Sequence, residues 1–569
     1  MLIDIVKDVR DDLLRFDVCI VGSGPAGITL AREISRAELR VCLVESGAQK
    51  SQPEIQELNA GVVNSAHGYR EETLREGRCR RFGGAANLWN HQIRGEPARY
   101  IRYVPLDEID FESRDWVPES GWPFTHQAIV PFYERAQRIC GINSFDCPEI
   151  LETGTKNGRL WQTEKIESVL SQFGLAKIFL EHYRRELVLD QRVAVIVGAT
   201  LLHFKIDPLS RVITSGQVSR PDGRKFWIRA RAFVLAAGGL ENARILLLQD
   251  DLQSGGLGNQ HDMVGRCFMD HPQITLGTLI PFSSSLFGRA GLYDQHHVGE
   301  QTMMRILHIR PEVMRREKML NLCGVLVPHF KTLRDNSPAI LRQLIVRVPR
   351  LICRRLSWQH RSTPLDAPPR PFRQRLLEDY YAAGQCGWLK LTQPERRFDK
   401  FSIRSLVEQS PDRSNRVMLQ DETDAFDQRK IKVLWRWNDL DRSSIRQAQQ
   451  IFHQELSSAG IGTFVPLEET VGAQPRRFDS PHHFLGTTRM HDNPRNGVVD
   501  SDCRVHGVPN LFIAGSSVFP TGGYANPTFT IIALALRLAT LLQSELQSKP
   551  LVKLRSEADQ CYPQSGLAE

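Results

Sequence analysis

One stretch near the N-terminus constrains this chain more than any other: Phe16-Asp17-Val18-Cys19-Ile20-Val21-Gly22-Ser23-Gly24-Pro25-Ala26-Gly27. The apolar run Val18 to Val21 predicts a buried parallel strand that breaks into a glycine-rich turn, and the spacing of Ile28, Leu30, Ala31 and Ile34 predicts a helix after it. A second apolar run, Val41 to Val44, ends in Glu45, 18 residues after Gly27, with Ser46 next. Each part has a physical job. Gly22 permits a tight turn, Gly24 lets a pyrophosphate approach the backbone, and Gly27 brings helix and strand close. The helix start offers free N–H groups and a partial positive charge to phosphates, and the acid suits a ribose 2′-hydroxyl. Strand, turn, helix, strand and acid in this order predict a dinucleotide site. An acid at Glu45 disfavours a 2′-phosphate, so FAD or NAD fits and NADP does not.

At 569 residues the chain exceeds one compact core, so two or more domains are expected. A net charge of +8 over this length is mild, and no nucleic-acid-binding pattern accompanies it. The eleven cysteines include no CxxC pair, and Cys19 and Cys42 fall inside the nucleotide-site strands, which suits reduced thiols. The first residues carry acids where a signal peptide has an apolar core. The run around Phe529 to Leu542 holds Arg537 and reads as shorter than a membrane span. The expectation is a soluble, cytoplasmic protein without a transmembrane segment, with export beside a signal-bearing partner left open. No metal site is expected, because no HExxH or similar ligand spacing occurs.

Further along, Arg81-Phe82-Gly83-Gly84-Ala85-Ala86-Asn87-Leu88-Trp89 reads either as a loop approaching a ligand closely or as an ordinary surface turn. Residues 106–123 predict an ordered irregular connection, 125–140 a helix, and 192–228 antiparallel strands. Ala232 to Gly239 predicts another buried strand, ending in Ala236-Ala237-Gly238-Gly239, and a helix follows over 241–249. The basic amphipathic stretch 338–361 reads as a surface helix with a solvated basic face, or as a docking element for a membrane surface or an electron-accepting partner. The loop 362–371 follows it.

Residues 480–545 hold the candidate chemistry. Paired His482-His483 precede Gly486, and on their own they read as a proton acceptor or as buried, hydrogen-bonded side chains. A strand into Gly515-Ser516-Ser517 follows. Then Gly522 to Thr528 opens a long apolar helix, with Asn526 expected as N-cap and Pro527 as the first helical residue.

Taken together, the motifs resemble the glucose–methanol–choline (GMC) oxidoreductases, a family of FAD-dependent alcohol-oxidising enzymes. The resemblance spans nearly the whole chain and adds Phe233 to Arg244, Val264-Gly265-Arg266-Cys267-Phe268-Met269-Asp270-His271-Pro272 and Glu408 to Val417 to the motifs above. It implies an α/β fold: a Rossmann-like FAD-binding domain assembled from discontinuous segments (1–275 and 478–547), an α+β substrate domain with an antiparallel sheet (276–477), and a tail (548–569). It also implies non-covalent FAD held by Gly22, Ser23, Gly24, Pro25, Ala26, Gly27, Glu45, Ser46, Arg81, Gly83, Gly84, Asn87, Leu88, Trp89, Ala237, Gly238, Gly515, Ser516, Asn526, Pro527 and Thr528.

In the family a histidine three residues before the glycine acts as base, which matches His483, and Asn526, 43 residues on, matches its assistant. His482 then plays a supporting part. Leu88 stands where some relatives carry a FAD-linking histidine, hence the dissociable cofactor. Trp89-Asn90 replaces the usual tryptophan-glycine, and His491 stands where glycine is common. Asp110 to Pro123 resembles the bacterial sugar-oxidising branch, which makes a sugar or glycoside the expected substrate, with Gln409, Trp435 and Trp437 as candidate contacts. The other readings are a sterol or apolar alcohol, a lyase keeping FAD structurally, and a silent scaffold subunit.

Overall fold

A computed structural model describes residues 2–4, 13–65, 68–92, 98–145, 161–251, 254–331, 387–391, 393–468 and 480–548. The stretch 338–361, the loop 362–371 and the tail beyond 548 lie outside them.

In chain order, the elements that build the site begin with β1 (Leu13–Val21), α1 (Pro25–Ser35) and β2 (Val41–Glu45). Next come β3 (Arg99–Tyr103), α2 (His126–Cys140) and β4 (Ile166–Leu175). Then follow β5 (Val193–Val197), β6 (Thr200–Ile206), β7 (Ile213–Ser219), β8 (Lys225–Leu235) and α3 (Glu241–Leu247). The second half contributes β9 (Gln273–Pro281), β10 (Gln301–Ile309), β11 (Cys323–Phe330) and β12 (Phe398–Leu406). The last are α4 (Asp439–Ser458), β13 (Gly462–Pro466), β14 (Leu511–Ile513) and α5 (Thr528–Ser548).

The first sheet runs Leu2–Asp4, β5, β2, β1, β8, β7, β6, with β14 also on β8. Its centre is parallel: Val18 to Val21 align with Val41 to Val44, and Phe233 to Leu235 align with Cys19 to Val21 on one side and Leu511 to Ile513 on the other. Strand β8 is long enough to serve two partners on one edge. Its first half pairs antiparallel with β7, and its second half takes β14 from almost 280 residues later. The C-terminal segment is thereby fixed beside the glycine turn.

The stretch 192–228 is not uniformly antiparallel. Strand β5 lies parallel to β2, from Val41 opposite Val193 to Glu45 opposite Val197, and only β6, β7 and β8 form the antiparallel meander. The reason is burial on both faces: Val193 to Ile196 are all buried, and a continuous apolar run is the mark of a covered parallel strand.

The second sheet is antiparallel, in the order β13, β9, β12, β11, β10, β4, β3, His91–Gln92. It draws β3 and β4 from within 1–275, so the two sheets interleave along the chain more than a boundary at 275 implies. A separate apolar cluster under α4 supports it, with Ile403, Phe401, Phe452 and Phe464 at its centre.

Helix α5 spans 21 residues, longer than the apolar run suggests, and by length and composition it would suffice for a membrane span. In this fold its apolar face is buried against α1 and α2, where Thr530 bonds the Tyr133 hydroxyl at 2.8 Å and Gln543 donates to the Glu33 carbonyl at 2.6 Å. Arg537 reaches outward to Asp502 at 2.9 Å.

Candidate active site

The site starts at the end of β1. Gly22 has φ +108°, a left-handed value that L side chains avoid, and a Cβ on it would collide with the Ala236 carbonyl at the end of β8. A Cβ on Gly27 would collide with the Gly22 carbonyl. Gly24 is different. Its φ of −71° suits any residue, and a Cβ built there meets nothing within 4 Å. Neither backbone nor packing requires glycine at that position, so the missing side chain leaves room for another group. Helix α1 opens beside it with no capping side chain and no acid in its first turn, which leaves its N–H groups and positive end to an anion. The turn therefore fits a pyrophosphate.

The glycine pair lies over this turn. The Gly83 N–H donates to the Ser23 carbonyl at 3.0 Å, and a Cβ on Gly84 would sit 3.0 Å from Gly24 Cα. Asn87 holds the loop from inside: it accepts from Arg81 Nε at 2.7 Å and donates to the carbonyls of Phe82 and Gly84. Leu88 and Trp89 are half-buried, and Trp89 meets Phe179 edge-on. At the end of β2 the buried Glu45 carboxylate accepts from Ser23 N and Oγ and from Gly47 N. These three bonds leave a carboxylate with about four acceptor positions room for one more. Ser46 bonds Thr200 at 2.8 Å.

Across the turn, Ala237 and Gly238 face outward at the end of β8, and the Ala237 N–H donates to Asn242. Asn242 donates in turn to Ser517 Oγ at 3.0 Å, tying β8 to the loop after β14. Ser516 Oγ donates to the Phe484 carbonyl at 2.7 Å, and a Cβ on Gly239 would collide with the same carbonyl. The histidine segment is thus pinned beside the glycine turn.

His482 sits in the left-handed region at φ +64°, turning the chain so that His483 faces inward. The His483 ring is half-buried. Its Nδ1 lies 3.0 Å from Nδ1 of His271, and its Nε2 lies 3.3 Å from Nδ2 of Asn526. Asn526 accepts from Arg102 Nε at 3.1 Å. Below the pair, the buried Asp270 carboxylate accepts the backbone N–H groups of His271 at 2.8 Å and His483 at 3.0 Å on one oxygen. Its other oxygen accepts from Tyr69 at 3.1 Å and from Ser480. Enclosure, with His271, His482 and Arg102 nearby, holds His483 well below the usual imidazole range, and burial pulls His271 down to about 4. Both rings are neutral at pH 7, and a neutral, reachable imidazole takes up a proton.

The GMC oxidoreductase family matches residues 411–535, a span that includes both His483 and Asn526. A fructose dehydrogenase large subunit from Gluconobacter japonicus is 26% identical over 95% of this chain and all of that one. A paromamine 6′-oxidase from Streptomyces fradiae is 24% identical over 95% of this chain and 94% of that one. The span 411–535 is a GMC oxidoreductase domain. A formate oxidase structure shares the fold, with a TM-score of 0.52 and 16% identity over 95% of this chain and 100% of that one. The lycopene cyclase family matches residues 17–55, which are the β1–α1–β2 unit alone. The protein is an FAD-dependent enzyme acting on CH–OH donors.

The structure moves several expected residues. Gln409, Trp435 and Trp437 do not line an opening. They are buried to within 3% exposure, Trp435 Nε1 donates to Gln409 Oε1 at 2.9 Å, and the two indoles meet edge-on. With its carbonyl also accepting from Asp270 N and its amide donating to Arg436, Gln409 is committed to the core. Asn526 is not an N-cap. Helix α5 begins at Thr528, the Pro527 carbonyl accepts from Ile531 at 2.9 Å, and the Asn526 side chain is drawn away to His483 and Arg102. His491 shapes a turn by accepting from Asn493 N at 2.9 Å and from His506 on its carbonyl. Sequence reasoning gave no role to His271, Asp270, Arg102 or Asn242. The Met269-Asp270-His271-Pro272 motif was the available signal for the first two.

Proposed function

We propose that this protein oxidises a CH–OH group of a sugar or glycoside to a carbonyl, with His483 as the base. The observation that carries the reading is the facing pair of His483 and Asn526. Residues 484–490 are all buried, as is every residue of 521–530 except Asn526, whereas His483, just ahead of the first span, and Asn526 stay half-open and meet at 3.3 Å. The substrate class is supported by relatives aligned over nearly the whole chain and named for fructose and paromamine.

Gly22 to Gly27 with the start of α1 would hold the pyrophosphate of FAD, and Glu45 the ribose. The Gly83–Trp89 loop, Ala237, Gly238, Gly515, Ser516 and the Asn526–Thr528 segment would hold the remainder. Bound FAD supplies the acceptor for the hydride that leaves the alcohol carbon. His483 Nε2 takes the hydroxyl proton, and the Asn526 amide N–H orients the oxygen by donating to it. Asp270 keeps the ring in place by gripping its backbone. Leu88 offers no nucleophile for a covalent link, so FAD is dissociable.

Anaerobic mixing of the purified protein with a panel of sugars, glycosides and simple alcohols tests this, with flavin absorbance as readout. Bleaching by a sugar that His483→Ala abolishes while retaining FAD is the expected result. Bleaching that survives His483→Ala, or none with any polyol, overturns the assignment.

A further inference from the structure

The hydrogen bonds around His483 have a direction, which is set at one end by a group that can only donate. Arg102 Nε has no acceptor capacity, so the Asn526 atom facing it at 3.1 Å is the carbonyl oxygen. The Asn526 amide nitrogen is then the atom 3.3 Å from His483 Nε2, and it too can only donate. His483 Nε2 must therefore carry a lone pair, which places the proton of the neutral ring on Nδ1. That proton points at His271 Nδ1, 3.0 Å away, so His271 accepts there and carries its own proton on Nε2, against the Gly522 backbone. One donor-only guanidinium thus decides the tautomers of two rings that are 212 residues apart in sequence.

We propose that His271 is a positioning residue that locks His483 with its lone pair on Nε2, and that it receives the proton His483 displaces during the reaction. This rests on His483 being the base. The step balances. The substrate O–H bond breaks and an N–H bond forms at His483 Nε2, while the His483 Nδ1–H bond breaks and one forms at His271 Nδ1. His483 ends neutral and His271 ends as imidazolium. The electron pair left on oxygen forms the carbonyl as hydride departs from carbon.

Burial works against charge on both rings, and only His271 has groups that offset it. His483 faces Arg102, His482 and His271, none of which welcomes a cation. His271 faces the Asp270 and Glu408 carboxylates and the Gly522 backbone, and all three favour its protonated form. His271 is also wholly buried, so its proton is shielded from water in a way the half-open His483 ring is not.

The test uses the full-length, FAD-loaded protein with ¹⁵N-labelled histidine. At neutral pH the His483 signals should report Nδ1–H, and on acidification the first imidazolium of the pair should appear on His271. His271→Asn keeps an oxygen acceptor near the Nδ1 position but accepts no proton, so it should preserve the His483 tautomer. His271→Leu should scramble it.

In flavin reduction by substrate, His271→Asn should slow the step about 10-fold and His271→Leu about 10²-fold, the latter at the low end of the range of acid–base contributions. The solvent-isotope dependence should change from curved (two protons moving) in the wild type to linear in His271→Asn. Retained flavin absorbance in the variants separates these effects from misfolding. Nε2–H on resting His483, charge appearing first on His483, or a linear isotope dependence in the wild type would each overturn the proposal. The NMR arms need no substrate, so a protein whose flavin no alcohol reduces would refute the function above while these arms still decide His271.

Discussion

The backbone N–H of His483 ends on Oδ1 of Asp270, 3.0 Å away, on the oxygen that also accepts the N–H of His271. One carboxylate therefore sets the height of both rings, and its second oxygen is taken by Tyr69 and Ser480.

Asp270→Asn is expected to be disproportionately costly, because an amide turns one of these acceptor positions into a donor facing donors. Each lost charged hydrogen bond is worth about 1.5–3 kcal/mol. A loss of stability of about 3 kcal/mol and a large fall in flavin reduction are predicted, read by urea denaturation and anaerobic stopped flow.

Gly24→Ala and Gly27→Ala should separate ligand room from structural need. At Gly24 the backbone is ordinary and a Cβ meets nothing within 4 Å, so the apoprotein should change by less than about 1 kcal/mol while FAD affinity collapses. At Gly27 the Cβ meets the Gly22 carbonyl, so the apoprotein itself should be destabilised. Calorimetric FAD titration and thermal melts of both apoproteins check this. Equal loss of stability in the two would count against a cofactor at Gly24.

Arg114 and Glu408 form a two-bonded ion pair, at 2.9 and 2.6 Å, with both side chains fully buried. Glu408→Gln strands a buried guanidinium charge and should cost about 3–5 kcal/mol. A double replacement by apolar residues of similar volume should recover much of that. Chemical denaturation of the two single variants and the double measures the coupling.

Acid should weaken the fold through the histidine pair. Both imidazoles titrate below their unfolded value of about 6.5, His271 near 4. The unfolded chain then binds more protons than the native one between those values. The contribution is fully present above about pH 6.5 and is lost as pH falls through this window. The melting temperature should decline from pH 6.5 to 4, and the decline should be shallower in His271→Asn.

The glycine turn and its neighbours were legible in the sequence because each role depends on residues close in the chain. Gly22, Gly27 and Glu45 sit where strand, helix and second strand meet, and apolar periodicity alone marks those elements. The helices over 126–140 and 528–548 were legible for the same reason. Strand β5 was misread because alternation and a short buried run look alike over five residues. Gln409, Trp435 and Trp437 were misplaced because aromatic and amide side chains serve a core as well as a binding surface.

The sequence by itself determined the nucleotide-binding unit, the family resemblance and the spacing of His483 and Asn526, since these are properties of contiguous motifs. Only the tertiary structure decided that β14 docks on β8, that Asn526 serves His483 rather than its helix, and that His271 lies against His483. The physical reason is that a side chain's partner, its burial and its tautomer depend on groups hundreds of residues away, whose arrival the local pattern does not encode.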